Sequence, residues 1–408
     1  MADFLQTGPV TTIQALTGHD PARWETALGE AARSRPVALV LPCLYSELAG
    51  PALPRILERL EGVGYLSEIV VTLGVADEAQ FRHARQVFSR LPGRVRIVWN
   101  DGPRIAAVKE RIRRAGFTLG EPGKGLAAWM AYGYLLAGER PPAAIALHDT
   151  DIVTYERELL DRLVLPVAHP ELGYAFAKGY YARVTDRLHG RVCRLFVGPL
   201  LEAGSRLVGD HPLLRFLRAF RYPLAGEFAM EARLAREARI PGDWGLEVGT
   251  LVEAWRIAGE RGACQVDLAI PYDHKHQATG EGGARPAGLV RMAREIALTL
   301  LRALAEEGVV LGEGELRALP LAYRHQGREA VRRYAHLAAA NGLGFDRRAE
   351  LGLVDIFAAV LEDAGQGFRE DPAGTPPIPS WAEVLASVPD VGPMLREAVE
   401  ADGEVGGG

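Results

Sequence analysis

Residues 143–151, AAIALHDTD, hold the turning point of the chain: a short apolar run passes directly into His148-Asp149-Thr150-Asp151. A run of this length bounded by polar residues reads as a buried strand. Three upstream runs have the same character: 36–44 (PVALVLPCL), 66–73 (LSEIVVTL) and 95–99 (VRIVW). Between them, 52–60, 78–91 and 125–137 carry apolar residues at helical spacing. Strands separated by helices predict an α/β fold, a Rossmann-like and mainly parallel sheet with helices on both faces. Ligands bind such sheets beyond the carboxyl ends of the strands. Asp149 and Asp151 leave the fourth strand at that edge, where Mg2+ or Mn2+ could bridge them to phosphate oxygens. The alternative at this point is a solvated turn, or an N-cap for a helix from about Leu159.

Outward from this core the pattern changes. Residues 184–278 are less regular, with turns around Pro199, Pro223 and Gly242. From 285 onward the spacing is helical over 287–307, 327–340 and 349–364. The same spacing over 381–399 is interrupted by Pro389 and Pro393, which break it into short pieces. The Gly- and Pro-rich stretch 365–378 reads as a loop, and the terminal Gly-Gly-Gly as disordered.

Bulk properties exclude several classes. The chain has 408 residues and a net charge of −5, which favours neither nucleic acid nor an anionic membrane as partner. No N-terminal signal pattern and no apolar run of about 18 residues is present. Three scattered cysteines (Cys43, Cys193, Cys264) fit a reducing compartment and no Cys-based zinc site. A cytoplasmic protein is expected. Of 47 basic residues only Lys109, Lys124, Lys178 and Lys275 are lysine. A Lys kept against that bias is a candidate for a place needing a compact ammonium, with chance survival the alternative.

Further segments could carry chemistry. Glu121-Pro122-Gly123-Lys124-Gly125 precedes a helix, so it is either an anion site at a helix N-terminus or a simple helix start. It lacks the upstream glycine and following Ser or Thr of a Walker loop. His274 and His276 alternate, so on extended chain they share a face, and one could complete a metal site or both could be exposed. No His-Glu-x-x-His helix is present to build a zinc hydrolase. Glu227 and Glu247 lie among apolar residues, which calls for a shifted pKa or a partner, at a site or in a structural ion pair.

The ordered set Leu41-Pro42-Cys43-Leu44-x-x-Glu47, Gly123-Lys124-Gly125, Asp149-Thr150-Asp151, Gly190-Arg191-Val192, Pro199-Leu200-Leu201, Leu224-Ala225-Gly226-Glu227-Phe228, Gly245-Leu246-Glu247-Val248-Gly249 and His274-Lys275-His276 resembles the glucosyl-3-phosphoglycerate synthases. The mannosyl-3-phosphoglycerate synthases are close kin. The resemblance covers roughly 37–304. It implies the A-type glycosyltransferase fold. Together with the helical spacing and the glycine-rich end, the expected division is an extension (1–30), a nucleotide-sugar glycosyltransferase domain (31–284), a helical C-terminal region (285–400) and a disordered tail (401–408). The resemblance also implies transfer of glucose from UDP-glucose to 3-phospho-D-glycerate, with retention of configuration, using Mg2+ or Mn2+, as a step toward the compatible solute glucosylglycerate. A homodimer is expected.

Carried over by motif, Pro42, Cys43, Leu44, Glu47, Gly74, Lys124, Asp149, Thr150 and Glu227 would bind the donor. Asp151 and His274 would hold the metal, and Glu247 and Asp149 would act at the reacting sugar. Gly190, Arg191, Cys193 and His276 would bind the acceptor, Arg191 gripping its anionic end with a planar fork. Cys193 stands where the family usually has Thr, His276 where it usually has Asn, and 74–77 replaces the family's Asp-Ser-Gly-Ser turn. The rivals are a GDP-mannose-dependent transferase, one with another small-acid acceptor, a nucleotidyltransferase, and a non-catalytic nucleotide-sugar-binding protein.

Overall fold

The computed structural model describes residues 5–16, 21–91, 93–268 and 286–404. The first half runs β1 (Thr11–Ile13), α1 (Pro21–Ala32), β2 (Val37–Leu44), α2 (Ala52–Leu60), β3 (Leu66–Gly74), α3 (Glu78–Phe88), β4 (Val95–Trp99), α4 (Pro103–Arg114), α5 (Lys124–Leu136), β5 (Ala144–Leu147), α6 (Arg157–Ala168) and β6 (Phe176–Tyr180). The second continues with α7 (Gly198–Val208), α8 (Pro212–Ala219), β7 (Phe228–Glu231), α9 (Ala232–Glu237), α10 (Leu246–Ala258), β8 (Ala263–Asp267) and α11 (Pro286–Glu306). It ends with α12 (Glu313–Ala340), α13 (Arg347–Glu370), α14 (Trp381–Ser387) and α15 (Val391–Glu404).

The eight strands form one sheet in the order β1-β8-β6-β7-β5-β2-β3-β4. All pairings are parallel except those of β7, which runs antiparallel to both β5 and β6. The four anticipated strands are all present as β2 to β5. In β2, Val37, Leu39, Leu41 and Cys43 pack into the layer with α2, α3 and α6, while Ala38 and Val40 face the layer holding α4 and α5. Coverage of both faces is why the run is continuously apolar rather than alternating. Part of the expected extension is a strand of the sheet, since β1 pairs with β8. The irregular stretch 184–278 holds α7 to α10, β7 and β8, too short for periodicity to separate.

The C-terminal helices depart from the expected boundaries. α12 begins at Glu313, not 327, and carries Pro320 inside it. Burial of Leu316, Leu319 and Tyr323 holds the helix through the proline, and the Tyr323 hydroxyl donates to the Leu195 carbonyl at 2.6 Å. α13 absorbs 365–370 of the expected loop because Phe368 continues its buried face. Pro389 lies in the break before α15. Pro393 does not break that helix, since it is the third residue, where no intrahelical amide donor is required. α15 runs to Glu404, into the stretch expected as a tail.

This region packs back on the sheet layers. Trp381 of α14 stacks on Trp129 of α5 with ring centroids 4.0 Å apart. Trp381 Nε1 donates to the Trp129 carbonyl (2.7 Å) and Trp129 Nε1 to the Pro379 carbonyl (2.8 Å), so neither buried indole lacks a partner. Both rings fit because residue 133 is glycine: a Cβ there would overlap the Trp381 indole. No helix among the described residues is long and apolar enough to cross a membrane.

Two stability predictions follow from this packing. Gly133→Ala overpacks the Trp129–Trp381 contact and lowers unfolding free energy by about 1–3 kcal/mol, readable by urea titration; unchanged stability would mean the contact is loose. The second concerns Asp161 of α6, buried beneath Tyr65, whose hydroxyl donates to it at 2.6 Å. Burial pushes the Asp161 carboxyl up to about 7, Tyr65 and Arg157 opposing and Glu25 and Glu158 adding to the rise. Unfolded, it loses its proton near 3.9. The native state therefore holds the extra proton between these values, and this stabilising contribution, complete below about pH 4, is lost as pH rises through about 7. Asp161→Asn should remove up to about 1.4 kcal/mol per pH unit from the slope of stability between pH 5 and 7; an unaltered slope would assign it elsewhere.

Candidate active site

The carboxyl ends of β2, β3, β4 and β5 converge with the N-termini of α5 and α10. The segment after β5 is not a solvated turn. His148 donates its backbone N–H to Val40 at 3.1 Å, and Thr150 Oγ1 donates to the Pro42 carbonyl at 2.8 Å, tying the Asp-x-Asp segment to the end of β2. His148 is fully buried beside the Tyr155 ring, and burial holds its imidazole down at about 4, hence neutral, against the pull of Asp149.

Lys124 opens α5 and joins three elements. Its Nζ lies 2.6 Å from Asp149 Oδ1, 2.9 Å from Oδ2, and 3.7 Å from Glu247 Oε1 in the first turn of α10. Burial favours the neutral amine, but Asp149, Glu247 and Glu227 hold the ammonium well above the usual lysine range. Gly226 lies against this pair: a Cβ there would collide with Asp149 Oδ2 and come within 2.9 Å of Lys124 Nζ. The glycine of the Gly-Glu-Phe motif is thus a steric requirement of the ion pair.

Negative charge exceeds what Lys124 offsets. Asp151 is pushed up to about 7, by burial first and then by Asp149 and Glu227, with Lys124 opposing and Glu47 adding. A hard divalent cation is suited to carboxylate oxygens and would relieve this crowding, so the donor set fits Mg2+ or Mn2+. Among the described residues no three His, Cys, Asp or Glu side chains are arranged to hold a metal ion. His274 and His276, the expected metal and acceptor ligands, lie outside the described residues.

The expected donor residues line the same edge. Leu44 is 51% exposed and is in register with Gly74, and Glu47 sits in the 3-10 turn Tyr45–Ala49. The turn after β3 is pinned from β4: Trp99 Nε1 donates to the Ala76 carbonyl (2.8 Å), and Asp101 Oδ2 accepts from Ala76 N (3.0 Å). Cys43 turns its thiol into the layer beside α2, where burial pushes it up to about 12. Its offering to a ligand is backbone, not sulfur. Glu227 is fully buried and accepts from the Tyr181 hydroxyl at 2.7 Å.

Of the residues expected to bind the acceptor, Gly190 and Arg191 lead into a π-helical stretch, Val192–Val197, that continues as α7. Arg191 Nε donates to Glu350 of α13 at 3.0 Å. Cys193 is buried, its thiol also pushed up to about 12 by burial. Tyr222 links the two sides: its ring meets Tyr181 edge-on at 4.9 Å, its hydroxyl accepts from Arg183 NH1 at 3.5 Å, and it faces Gly190.

Motif reading passed over Tyr181, Tyr222, Gly226 and Lys178 as site residues. Lys178 of β6 is fully buried, its Nζ lacks a hydrogen-bond partner among the described residues, and it lies 5.4 Å from the Phe228 ring centroid. Burial pulls it down to about 8, with Glu247, Glu227 and Asp149 resisting and Lys124 assisting. Its signal was the scarcity of lysine in an arginine-rich chain.

No protein-family model matches the chain. A glucosyl-3-phosphoglycerate synthase of Persephonella marina is 42% identical over 402 residues, spanning 98% of this chain and 99% of that one. Another, of Methanococcoides burtonii, is 40% identical over 90% of this chain and 91% of its own. The likeness thus extends over the helical region that the motif resemblance left outside. Among solved structures, the Mycobacterium tuberculosis glucosyl-3-phosphoglycerate synthase in complex with Mn2+, UDP and glucosyl-3-phosphoglycerate superposes with a TM-score of 0.54 at 22% identity. That match covers 74% of this chain and 90% of that one, and places the sheet and its helices in the A-type glycosyltransferase fold. With identity of 40–42% sustained across nearly its whole length, the chain belongs to the glucosyl-3-phosphoglycerate synthase family of glycosyltransferases.

Proposed function

We propose that the protein transfers glucose from UDP-glucose to 3-phospho-D-glycerate with retention of anomeric configuration, giving glucosyl-3-phosphoglycerate and UDP as a first step toward the compatible solute glucosylglycerate. The observation that carries this reading is the Lys124–Asp149–Glu247 cluster at the carboxyl edge of the sheet, with Thr150 tied to Pro42. The mycobacterial relative, crystallised with Mn2+, UDP-glucose and phosphoglyceric acid, supports the choice of substrates.

In this reading Pro42, Cys43 and Leu44 present backbone and apolar surface to the base and ribose, with Glu47, Gly74 and Thr150 beside them. Asp151 and His274, assisted by Asp149, would hold a divalent cation, which would supply charge neutralisation at the diphosphate leaving group. Lys124 orients Asp149 toward the sugar, and Glu227 supports the donor side from beneath. Arg191, with Gly190, Cys193 and His276, receives the anionic acceptor. Glu247 faces the reacting sugar and the acceptor hydroxyl. Both carboxylates that could attack the sugar, Asp149 and Glu247, are paired with Lys124, which blunts each as a nucleophile. That pairing favours a front-face displacement in which the leaving phosphate oxygen takes the acceptor proton.

The test is a donor panel with 3-phosphoglycerate and Mg2+. UDP release from UDP-glucose and an α-linked product by proton NMR are expected; release of GDP from GDP-mannose instead, or of pyrophosphate, would overturn the reading. Gly226→Ala gives a sharper check, because it displaces only the tips of Lys124 and Asp149. Its melting temperature should stay near that of the parent while kcat/KM falls by about 100-fold, the scale of an ångström-level misplacement. An unimpaired Gly226→Ala enzyme would show that this ion pair does not position the reaction.

A further inference from the structure

We propose that Glu350, far along the chain on α13, is a positioning residue for the acceptor: it orients Arg191, so the helical C-terminal region is a working part of the active site. The inference rests on Arg191 being the acceptor's anion partner.

The geometry is a clamp. Glu350 is buried, with 4% exposure, and its carboxylate accepts from two arginines of the same segment. Oε1 takes Arg191 Nε at 3.0 Å and Arg194 NH2 at 3.3 Å, and Oε2 takes Arg194 NH1 at 2.9 Å. Arg194 in turn holds the preceding turn, donating Nε to the His189 carbonyl at 2.8 Å and NH2 to that of Leu188 at 3.3 Å. Its guanidinium lies 5.0 Å from the Tyr334 ring centroid of α12. The backbone makes a second tether, because Gly344 N, in the turn between α12 and α13, donates to the Asp186 carbonyl at 2.8 Å.

The stiffness of the clamp comes from where Glu350 sits. Asp346 caps α13, its side chain accepting from Ala349 N at 2.9 Å, and Glu350 N bonds the Asp346 carbonyl at 3.0 Å one turn in. The rest of the helix is anchored by buried Val354, Phe357 and Leu361. A carboxylate held this rigidly fixes the guanidinium plane it grips. Arg191 uses only Nε for Glu350 and its side chain is 45% exposed, so among the described residues its two terminal amino groups are left as a fork for a phosphate or carboxylate. A side chain as long as arginine otherwise loses rotamer freedom when it binds. Glu350 removes that freedom in advance.

Steady-state kinetics of Glu350→Gln tests this. The amide keeps the volume and loses the charge, and KM for 3-phosphoglycerate should rise about tenfold while KM for UDP-glucose and kcat stay within about twofold. In an Arg191→Ala background the second substitution should add nothing further, as expected for residues acting through one another. Unchanged acceptor KM in Glu350→Gln, with Arg191→Ala impaired, overturns the inference and leaves the acceptor reading standing. Unchanged acceptor KM in Arg191→Ala overturns that reading and the inference with it. A purely structural Glu350 would lower kcat and both KM-dependent terms together, or act equally in the Arg191→Ala background, and either result also overturns it. Should Glu350→Gln fail to fold, Glu350→Asp withdraws the charge by one methylene and should raise the same KM about fivefold; no rise overturns the inference.

Discussion

The ammonium of Lys124 is the constraint around which the carboxyl edge of the sheet is built. It draws Asp149, leaving β5, and Glu247, opening α10, to the first residue of α5. These two, with Asp151 and Glu227 beside them, could not be gathered in a poorly solvated cleft without a cation among them, since uncompensated buried charge costs several kcal/mol. The neighbouring backbone is shaped to the same pair, because Gly226 leaves room for it and no larger residue would. What Lys124 does not offset presses on Asp151, whose carboxyl is pushed up to about 7 by burial and by Asp149 and Glu227, and carboxylate oxygens are the donors a hard cation suits.

Those features were unevenly legible in the sequence. The Asp149-Thr150-Asp151 segment could be placed at a strand end because a buried parallel strand writes itself as a continuous apolar run. β7 could not be read, being four residues long and wedged antiparallel between two parallel neighbours. Lys178 was flagged by composition alone, yet its full burial depends on β6, β7 and the site carboxylates meeting in space. The glycines at 365 and 367 suggested a loop from local propensity, and tertiary burial of one helix face overrode it. Glu350 lies 159 residues from Arg191, and no local pattern reports a contact of that separation.

The helical C-terminal region is joined to opposite edges of the sheet. At the amino-terminal edge, Glu400 of α15 accepts from Arg94 at 2.8 Å and Arg96 at 2.6 Å, while Trp381 stacks on Trp129 inside the same layer. At the other, the α12–α13 turn and Glu350 hold 186–194. A region tied at both ends resists displacement of one end without strain at the other. The buried Glu350 carboxylate is therefore placed by the whole helical assembly rather than by its own helix alone. Its partner Arg191 inherits that rigidity, and an arginine on an otherwise irregular segment can present a fixed fork to a small anion. The contacts that stabilise the helical region thus also fix Arg191, while the carboxyl edge around Asp149 and Glu247 is organised separately by Lys124.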